Sequence, residues 1–404
     1  MTEATLISPH VSRVGLITSD QQAIATAHTL ASHFEQQAAQ RDKERLLPWQ
    51  ELDDFTKSGL WAITVPADYG GPELSSDALA QVIAIIAAAD GSIAQIPQNH
   101  FYALEVLRVG GSESQKRFFY SEVISGKRLG NALAEIGHKD YKRRTRLYRD
   151  ASQKWRVNGQ KFYCTGALYA HWIPTLVVDE AERQQLVFIP KSAHGVTITD
   201  DWDGFGQRLT GSGSVQLDNV LVDPLWVVPF TDSFERPTAI GPFAQLMHAA
   251  IDLGIAQGAF ATTLAFVKQH ARPWIDAGVE QANEDPLLIE RVGNLSVRLK
   301  AAKSLLKRAA GSVAIAQQTP DDDSVAQASI DVAEAKVLTT EVSLLAGSQL
   351  FELSGTGATL DNRQLDRFWR NARTHTLHDP ARWKLHAIGN FYLNGQRPPR
   401  HGAI

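Results

Sequence analysis

Arg367-Phe-Trp-Arg-Asn-Ala-Arg-Thr-His-Thr-Leu-His-Asp-Pro380 crowds three arginines and two histidines around aromatic residues. His375 and His378 are three apart and so share a face wherever the chain is helical. Imidazole is also the side chain whose unperturbed pKa lies nearest working pH. Asp379 before Pro380 reads as an N-cap followed by proline at the first helical position, opening the helix Ala-Arg-Trp-Lys-Leu-His-Ala-Ile. The stretch therefore predicts a helix end, a sharp break and a second helix start, a junction at which a pocket can form. The alternative is that both histidines bond buried carbonyls and Asp379 only caps.

Upstream of this junction the patterns are helical. Phe243 to Gln269, Pro286 to Gln318 and Ser324 to Leu353 are rich in Ala and Leu with charged outer faces. Their length predicts a four-helix bundle, and spare apolar surface favours oligomerisation. The N-terminal part is helical too. Asp20 to Arg41 carries apolar residues at three and four spacing, and Asp77 to Asp90 is so apolar that it must be buried. Pro66 to Pro72 reads as the loop between these two.

Between about Leu129 and Val228 the texture changes. Lys154 to Val157, Thr175 to Asp179, Gln185 to Ile189, Gly195 to Ile198 and Val215 to Val222 are short β-branched or alternating runs separated by Gly, Asn and Asp turns. The expected architecture is mainly α with a central β-domain: residues 1–128 helical, 129–232 a β-barrel, 233–404 a helical bundle. No strand leads into a glycine-rich loop and helix, so a nucleotide or flavin has to lie in a cleft between domains.

Composition narrows the function. In 404 residues the formal net charge is -4 and charged residues are 21%, which offers no electrostatic case for nucleic acid or an anionic membrane. One cysteine, Cys164, excludes an intrachain disulfide framework or a cysteine metal cluster and points to a reducing cytoplasm. The N-terminus lacks an export signal, and no later run reads as a bilayer span.

Several motifs could carry chemistry. Lys161-Phe-Tyr-Cys-Thr-Gly-Ala167 ends a strand in a turn and presents the hydroxyl of Thr165, as ligand contact or as turn chemistry. In Asp201-Trp-Asp-Gly-Phe-Gly-Gln-Arg-Leu-Thr-Gly-Ser-Gly213 the glycines allow close backbone approach and Ser212 can donate to an anion; the alternative is a tight hairpin with Trp202 as core plug. His100 follows the buried helix, where a lone histidine is more often structural. Asn131 and Glu135 open the β-domain as site or surface-turn residues. Arg272, in His270-Ala-Arg-Pro-Trp274, could grip a phosphate or end a helix.

Together and in this order these motifs resemble the acyl-CoA dehydrogenase superfamily over nearly the whole chain. Asp201-Trp, Ala-Arg-Pro-Trp, Glu284-Asp-Pro286, Phe368-Trp-Arg-Asn, Arg373-Thr-His-Thr-Leu-His-Asp-Pro380 and Leu393-Asn-Gly395 resemble the branch containing dibenzothiophene monooxygenase. Ile96-Pro-Gln-Asn-His-Phe101, Thr165-Gly-Ala-Leu-Tyr-Ala-His-Trp172 and Pro398-Pro-Arg-His401 resemble SfnB-type sulfur-acquisition oxidoreductases. The resemblance implies a homotetramer. It also implies Thr165 near flavin N5, Tyr163 beside the ring, Asn131 and Trp202 in the flavin site, and Arg272 on a neighbouring subunit's flavin phosphate. His100 and His378 match histidines on the reactive face; Ser212 and Arg208 lie in a turn of variable role. Tyr163, Trp202 and Phe101 would wall the cleft.

Two departures bear on the chemistry. Gly357 stands where the dibenzothiophene enzyme has an arginine, and His378-Asp379-Pro380 stands where a common acyl-CoA dehydrogenase has its glutamate base followed by Gly-Thr. The expectation is a two-component monooxygenase: reduced FMN from a separate reductase, O2, and a small organosulfur substrate, with His378 and His100 managing the proton. An FAD-dependent acyl-CoA dehydrogenase and a non-catalytic flavin-binding protein are the alternatives.

Overall fold

The computed structural model describes residues 14–137, 139–140 and 142–404; the reading of the extreme N-terminus lies outside them. Five helices come first: α1 (Asp20–Glu44), α2 (Trp49–Lys57), α3 (Ser76–Ala89), α4 (Gly91–Gly110) and α5 (Glu113–Ile124). Each main start has a side-chain oxygen over the first free backbone N–H groups: Ser19 for α1, Ser75 for α3, Asp90 for α4 and Ser112 for α5. Asp90 also bonds Arg41 of α1, through Nε at 3.3 Å and Nη2 at 3.1 Å, so one carboxylate caps α4 and ties α1 to it. The segment that follows the apolar helix and carries His100 is a helix in its own right, α4, buried from Gly91 to Leu107.

Seven strands follow: β1 (Arg146–Arg149), β2 (Trp155–Lys161), β3 (Trp172–Val178), β4 (Gln184–Pro190), β5 (Val196–Thr199), β6 (Ser214–Leu221) and β7 (Val227–Pro229). They form one sheet in the order β5-β6-β2-β1-β3-β4-β7. Its two edges are not paired with each other, so the expected barrel is corrected to an open sheet. The physical reason lies in β3 and β4, which are covered on both faces. Trp172, Leu176, Leu186 and Phe188 face the helical core, while Ile173, Val177, Val187 and Ile189 face the β-domain's own core. A sheet sealed by helices need not close on itself. Trp172 meets Phe118 and Phe119 of α5 edge-on, seating the sheet on the N-terminal helices.

The C-terminal part holds α6 (Thr231–Phe234), α7 (Ile240–Gln269), α8 (Pro286–Gln318), α9 (Asp322–Ser354), α10 (Asp366–His375) and α11 (Ala381–Asn394). α7 runs through the middle, packed on α9 and α8 and on α3 and α4 of the N-terminal part. It is long and apolar enough to cross a membrane by length and composition, which the sequence reading did not credit, but it is two-thirds buried as this core helix. His248 and Asp252 sit inside it, both buried.

Candidate functional site

The β-domain contributes a strained turn. After β2 the chain reverses at Tyr163, whose φ of 55° puts a half-exposed aromatic residue in the left-handed region. Such strain costs on the order of 1–3 kcal/mol and persists where the surroundings impose it. The Tyr163 carbonyl accepts from Asn131 Nδ2 at 3.4 Å and from the Thr165 N–H at 2.9 Å. Two residues on, Thr165 is buried with its hydroxyl 2.7 Å from Ser212, and Ser212 is 2.6 Å from Thr210. Trp202 stands 6.0 Å from Tyr163, ring centre to ring centre. Asn131 Oδ1 is buried without a hydrogen-bond partner.

Gln207, also left-handed at φ 50°, joins this turn to the helices. Its carbonyl accepts from Trp202 Nε1 and Thr210 Oγ1, its N–H donates to Asn371 Oδ1 on α10, and its Nε2 donates to the Gly91 carbonyl of α4. Gly206 makes the approach possible, because a Cβ there would lie 2.0 Å from the Arg370 carbonyl. Hydroxyl cluster, α4 start and α10 are thereby locked together. One turn beyond Asn371 on α10 comes His375.

There the second half of the site begins. His375 Nδ1 lies 2.5 Å from Asp252 Oδ1, and its Nε2 is 3.0 Å from His248 Nδ1. Asp252 Oδ2 accepts from Lys336 Nζ of α9 at 2.6 Å and from Thr340 at 3.1 Å. Burial raises the pKa of Asp252, but Lys336 and His375 outweigh it and hold the carboxyl below its ordinary value. Burial lowers the pKa of His375 and holds that of His248 well below the usual imidazole range. The His248 ring lies over that of His378, centroids 4.1 Å apart and planes at 36°.

His378 is in the turn between α10 and α11, its side chain about half exposed. Its Nδ1 is 3.2 Å from Asp379 Oδ1, and Lys384 Nζ approaches Asp379 Oδ2 to 2.6 Å, off the line of a hydrogen bond. Asp379 is thus corrected: Pro380 occupies the cap position with no side-chain cap, and the carboxylate turns to His378 and Lys384. Burial works against ionisation, but the His378 hydrogen bond and the Lys384 charge keep Asp379 far below the usual carboxylate range.

His100 is corrected as well. It lies mid-α4, fully buried, with Nε2 donating to the Trp61 carbonyl at 2.8 Å and Nδ1 accepting from the Leu129 N–H at 3.0 Å. Both nitrogens pin the start of the β-domain to the N-terminal helices, and burial pushes its pKa down to about 3, so it offers no proton to a ligand. Phe101 is core rather than cleft wall. Arg208 donates to the Asp42 carbonyl at 2.6 Å, Glu135 is paired with buried Lys161 at 2.6 Å, and Arg272 is exposed with no partner among the described residues.

Residues the sequence reading passed over do much of the positioning. His248 and Asp252 are four apart on a mostly apolar helix, a signal that was available. Gln207 and Lys336 gave none, because the partners that tie them across the fold, Asn371 and Gly91 for the one and Asp252 for the other, are distant in sequence. Gln95 on α4 is buried with Oε1 unpartnered.

Family models of the acyl-CoA dehydrogenase N-terminal, middle and C-terminal domains match residues 18–127, 135–220 and 246–383. The "Probable FMNH2-dependent monooxygenase SfnC" of Pseudomonas putida is 30% identical over 395 residues, 94% of this chain and 97% of that protein. The FMN-bound structure of TdsC, a dibenzothiophene monooxygenase of Paenibacillus sp. A11-2, superposes with a TM-score of 0.90 at 30% identity, covering 95% of this chain and 100% of that one. Methanesulfinate monooxygenase MsuC of Pseudomonas fluorescens gives a TM-score of 0.87 at 30% identity, covering 99% and 100%. The sulfur-acquisition relative here is named SfnC, where the sequence motifs resembled the SfnB type. With three domain models in register along the chain and full-length likeness to desulfurising enzymes, the protein belongs to the acyl-CoA dehydrogenase superfamily, in its desulfurisation monooxygenase branch.

Proposed function

We propose that the protein is a flavin-dependent monooxygenase that takes reduced FMN from a separate reductase and uses O2 to oxygenate a small organosulfur compound. The observation that carries this reading is the state of Asp379. A dehydrogenase needs a carboxylate free to take a substrate proton, and Asp379 is locked between Lys384 and His378. The other side of the site fits a flavin. Thr165, Ser212 and the unpartnered Asn131 Oδ1 offer a polar edge, and Tyr163 and Trp202 offer aromatic walls to a planar ring. Bound reduced FMN supplies the O2 chemistry. The protein holds the ring, and the half-exposed His378 manages the proton.

The names of the relatives support both the flavin and the organosulfur class, methanesulfinate being the small-substrate precedent. A homotetramer belongs to the same reading. Arg272 and the neighbouring Trp274 and Ile275, 70% and 86% exposed, form a charged and apolar edge suited to a subunit contact. A reducing cytoplasm agrees with the lone Cys164, buried, its thiol pushed up to about 12 by desolvation.

The test supplies the enzyme with a flavin reductase, NADH, and C1 to C4 sulfides, sulfones, sulfinates and sulfonates beside medium-chain acyl-CoAs. Oxygen uptake matched by oxygenated product is expected with the sulfur compounds. His378→Ala is expected to keep FMN binding and to release hydrogen peroxide in place of product, with transfer about a hundredfold slower or more. Enoyl product from acyl-CoA without oxygen uptake would make the protein a dehydrogenase.

A further inference from the structure

Two imidazoles lie against each other at this site, their planes tilted by 36°, and each is backed in the same way. His378 is bonded through Nδ1 to Asp379, which is paired with Lys384 of α11 at 2.6 Å. His248 is bonded through Nδ1 to His375 of α10, His375 to Asp252 of α7, and Asp252 to Lys336 of α9 and Thr340. Carboxylates only accept, and a neutral imidazole has one N–H. Counting inward from Asp252, His375 gives its Nδ1–H to the carboxylate, so its Nε2 accepts, and His248 must give it Nδ1–H. Likewise His378 gives Nδ1–H to Asp379. Both rings are left with a bare Nε2 that makes no hydrogen bond among the described residues. The lysines explain why neither carboxylate can take the proton itself. Both are buried and salt-bridged, Lys336 to Asp252 and Lys384 to Asp379.

We propose that the acid–base group of this site is the adjoining pair His378–His248, which takes up one proton in all, with His375, Asp252 and Lys336 as the positioning residues that fix the tautomer of His248. This rests on the monooxygenase reading for the use made of the proton. Two imidazolium rings 4.1 Å apart repel, so the pair accepts one proton and not two. With the reduced cofactor as a hydride equivalent, each turnover joins that hydride, one proton and one oxygen atom of O2 into water while the other oxygen atom goes to sulfur. The proton leaves an Nε2 of the pair, and solvent at the half-exposed His378 restores it. His248 is the inner site, where an added proton is balanced through His375 by Asp252.

The inference is tested first on the flavin-free protein, by following the histidine ring nitrogens by NMR from pH 5 to 9, with resonances assigned from single variants. His248 and His375 are expected to carry Nδ1–H. Their nitrogen shifts should also respond as His378 takes up its proton, and in His378→Gln the His248 midpoint should rise as the competing charge is removed. Flat His248 and His375 signals through the His378 titration would overturn the proposal. In the FMN-loaded enzyme, His248→Phe keeps a ring under His378 but no second nitrogen. The fraction of oxygen uptake appearing as product should fall several-fold, and its pH midpoint should move by about half a unit or more, at unchanged FMN affinity. A lower melting temperature with a superimposable pH profile would show His248 to be packing only, and sink the idea. If the nitrogens are coupled as expected but wild-type protein oxygenates nothing, the shared proton stands and the monooxygenase reading falls.

Discussion

At the residue scale, the hydroxyl chain has a direction. Thr210 donates to the Gln207 carbonyl, so Ser212 must donate to Thr210 and Thr165 to Ser212, which leaves Thr165 only lone pairs to offer a ligand. An acceptor suits the N–H of a reduced flavin and not the bare nitrogen of an oxidised one. Thr165→Val is therefore expected to weaken reduced FMN about tenfold and oxidised FMN much less, measured by anaerobic and aerobic fluorescence titration. Equal losses in the two states would show that the chain has no fixed direction. His100 sets a pH limit of a different kind. Its folded pKa, about 3, is below the unfolded value near 6.5, so the unfolded chain binds a proton that the folded chain refuses. Its contribution is fully present above about pH 6.5 and is lost as pH falls toward 3. From pH 6.5 to 5 the loss is about 2 kcal/mol. Urea unfolding at the two pH values should show wild type losing about that much more than His100→Gln.

At the scale of elements, α7 and α9 are held by an ion pair inside an apolar contact. Lys336 and Asp252 are almost fully buried, and removing one partner strands the other. Lys336→Met is expected to cost about 3–5 kcal/mol in denaturant unfolding, while Lys336→Met with Asp252→Leu recovers part of it. A single-variant cost under about 1 kcal/mol would mean that water or His375 compensates. The open sheet follows the same logic of partners: β3 is buried at every position because helices cover one face and the β-core the other.

At the scale of the whole molecule, Arg272 tests whether the site is completed by a second copy. It projects from the break after α7 with no partner among the described residues, beside exposed Trp274 and Ile275. Arg272→Ala is expected to weaken FMN binding by about 1–3 kcal/mol, the worth of a charge-assisted bond to phosphate. If the proposed homotetramer is assembled through this edge, Ile275→Asp should dissociate it, judged by light scattering, and lower FMN affinity with it. An Arg272→Ala variant that binds FMN as tightly as wild type, with its mass by light scattering unchanged, would remove the arginine from the site.

What the sequence determined by itself was local and periodic. The helices Asp20–Glu44, Ser76–Ala89 and Pro286–Gln318, and five of the seven strands, follow from spacing and capping within a few residues of one another. The junction at His375–Pro380 was legible because helix ends are written in adjacent residues. The tertiary structure alone decided which of these groups are free to react. His100 and Asp379 looked like a site residue and a cap. Partners 39 and 29 residues away occupy both nitrogens of His100, and buried Lys384 claims Asp379. β1 and β7 were missed because four and three residues carry too little pattern to stand out without the strands they pair with. The His248–His375–Asp252–Lys336 chain joins three helices across the core, and no local pattern encodes it. Hydrogen-bond satisfaction is settled by whatever packs alongside, so the role of a buried polar group is known only once its neighbours are.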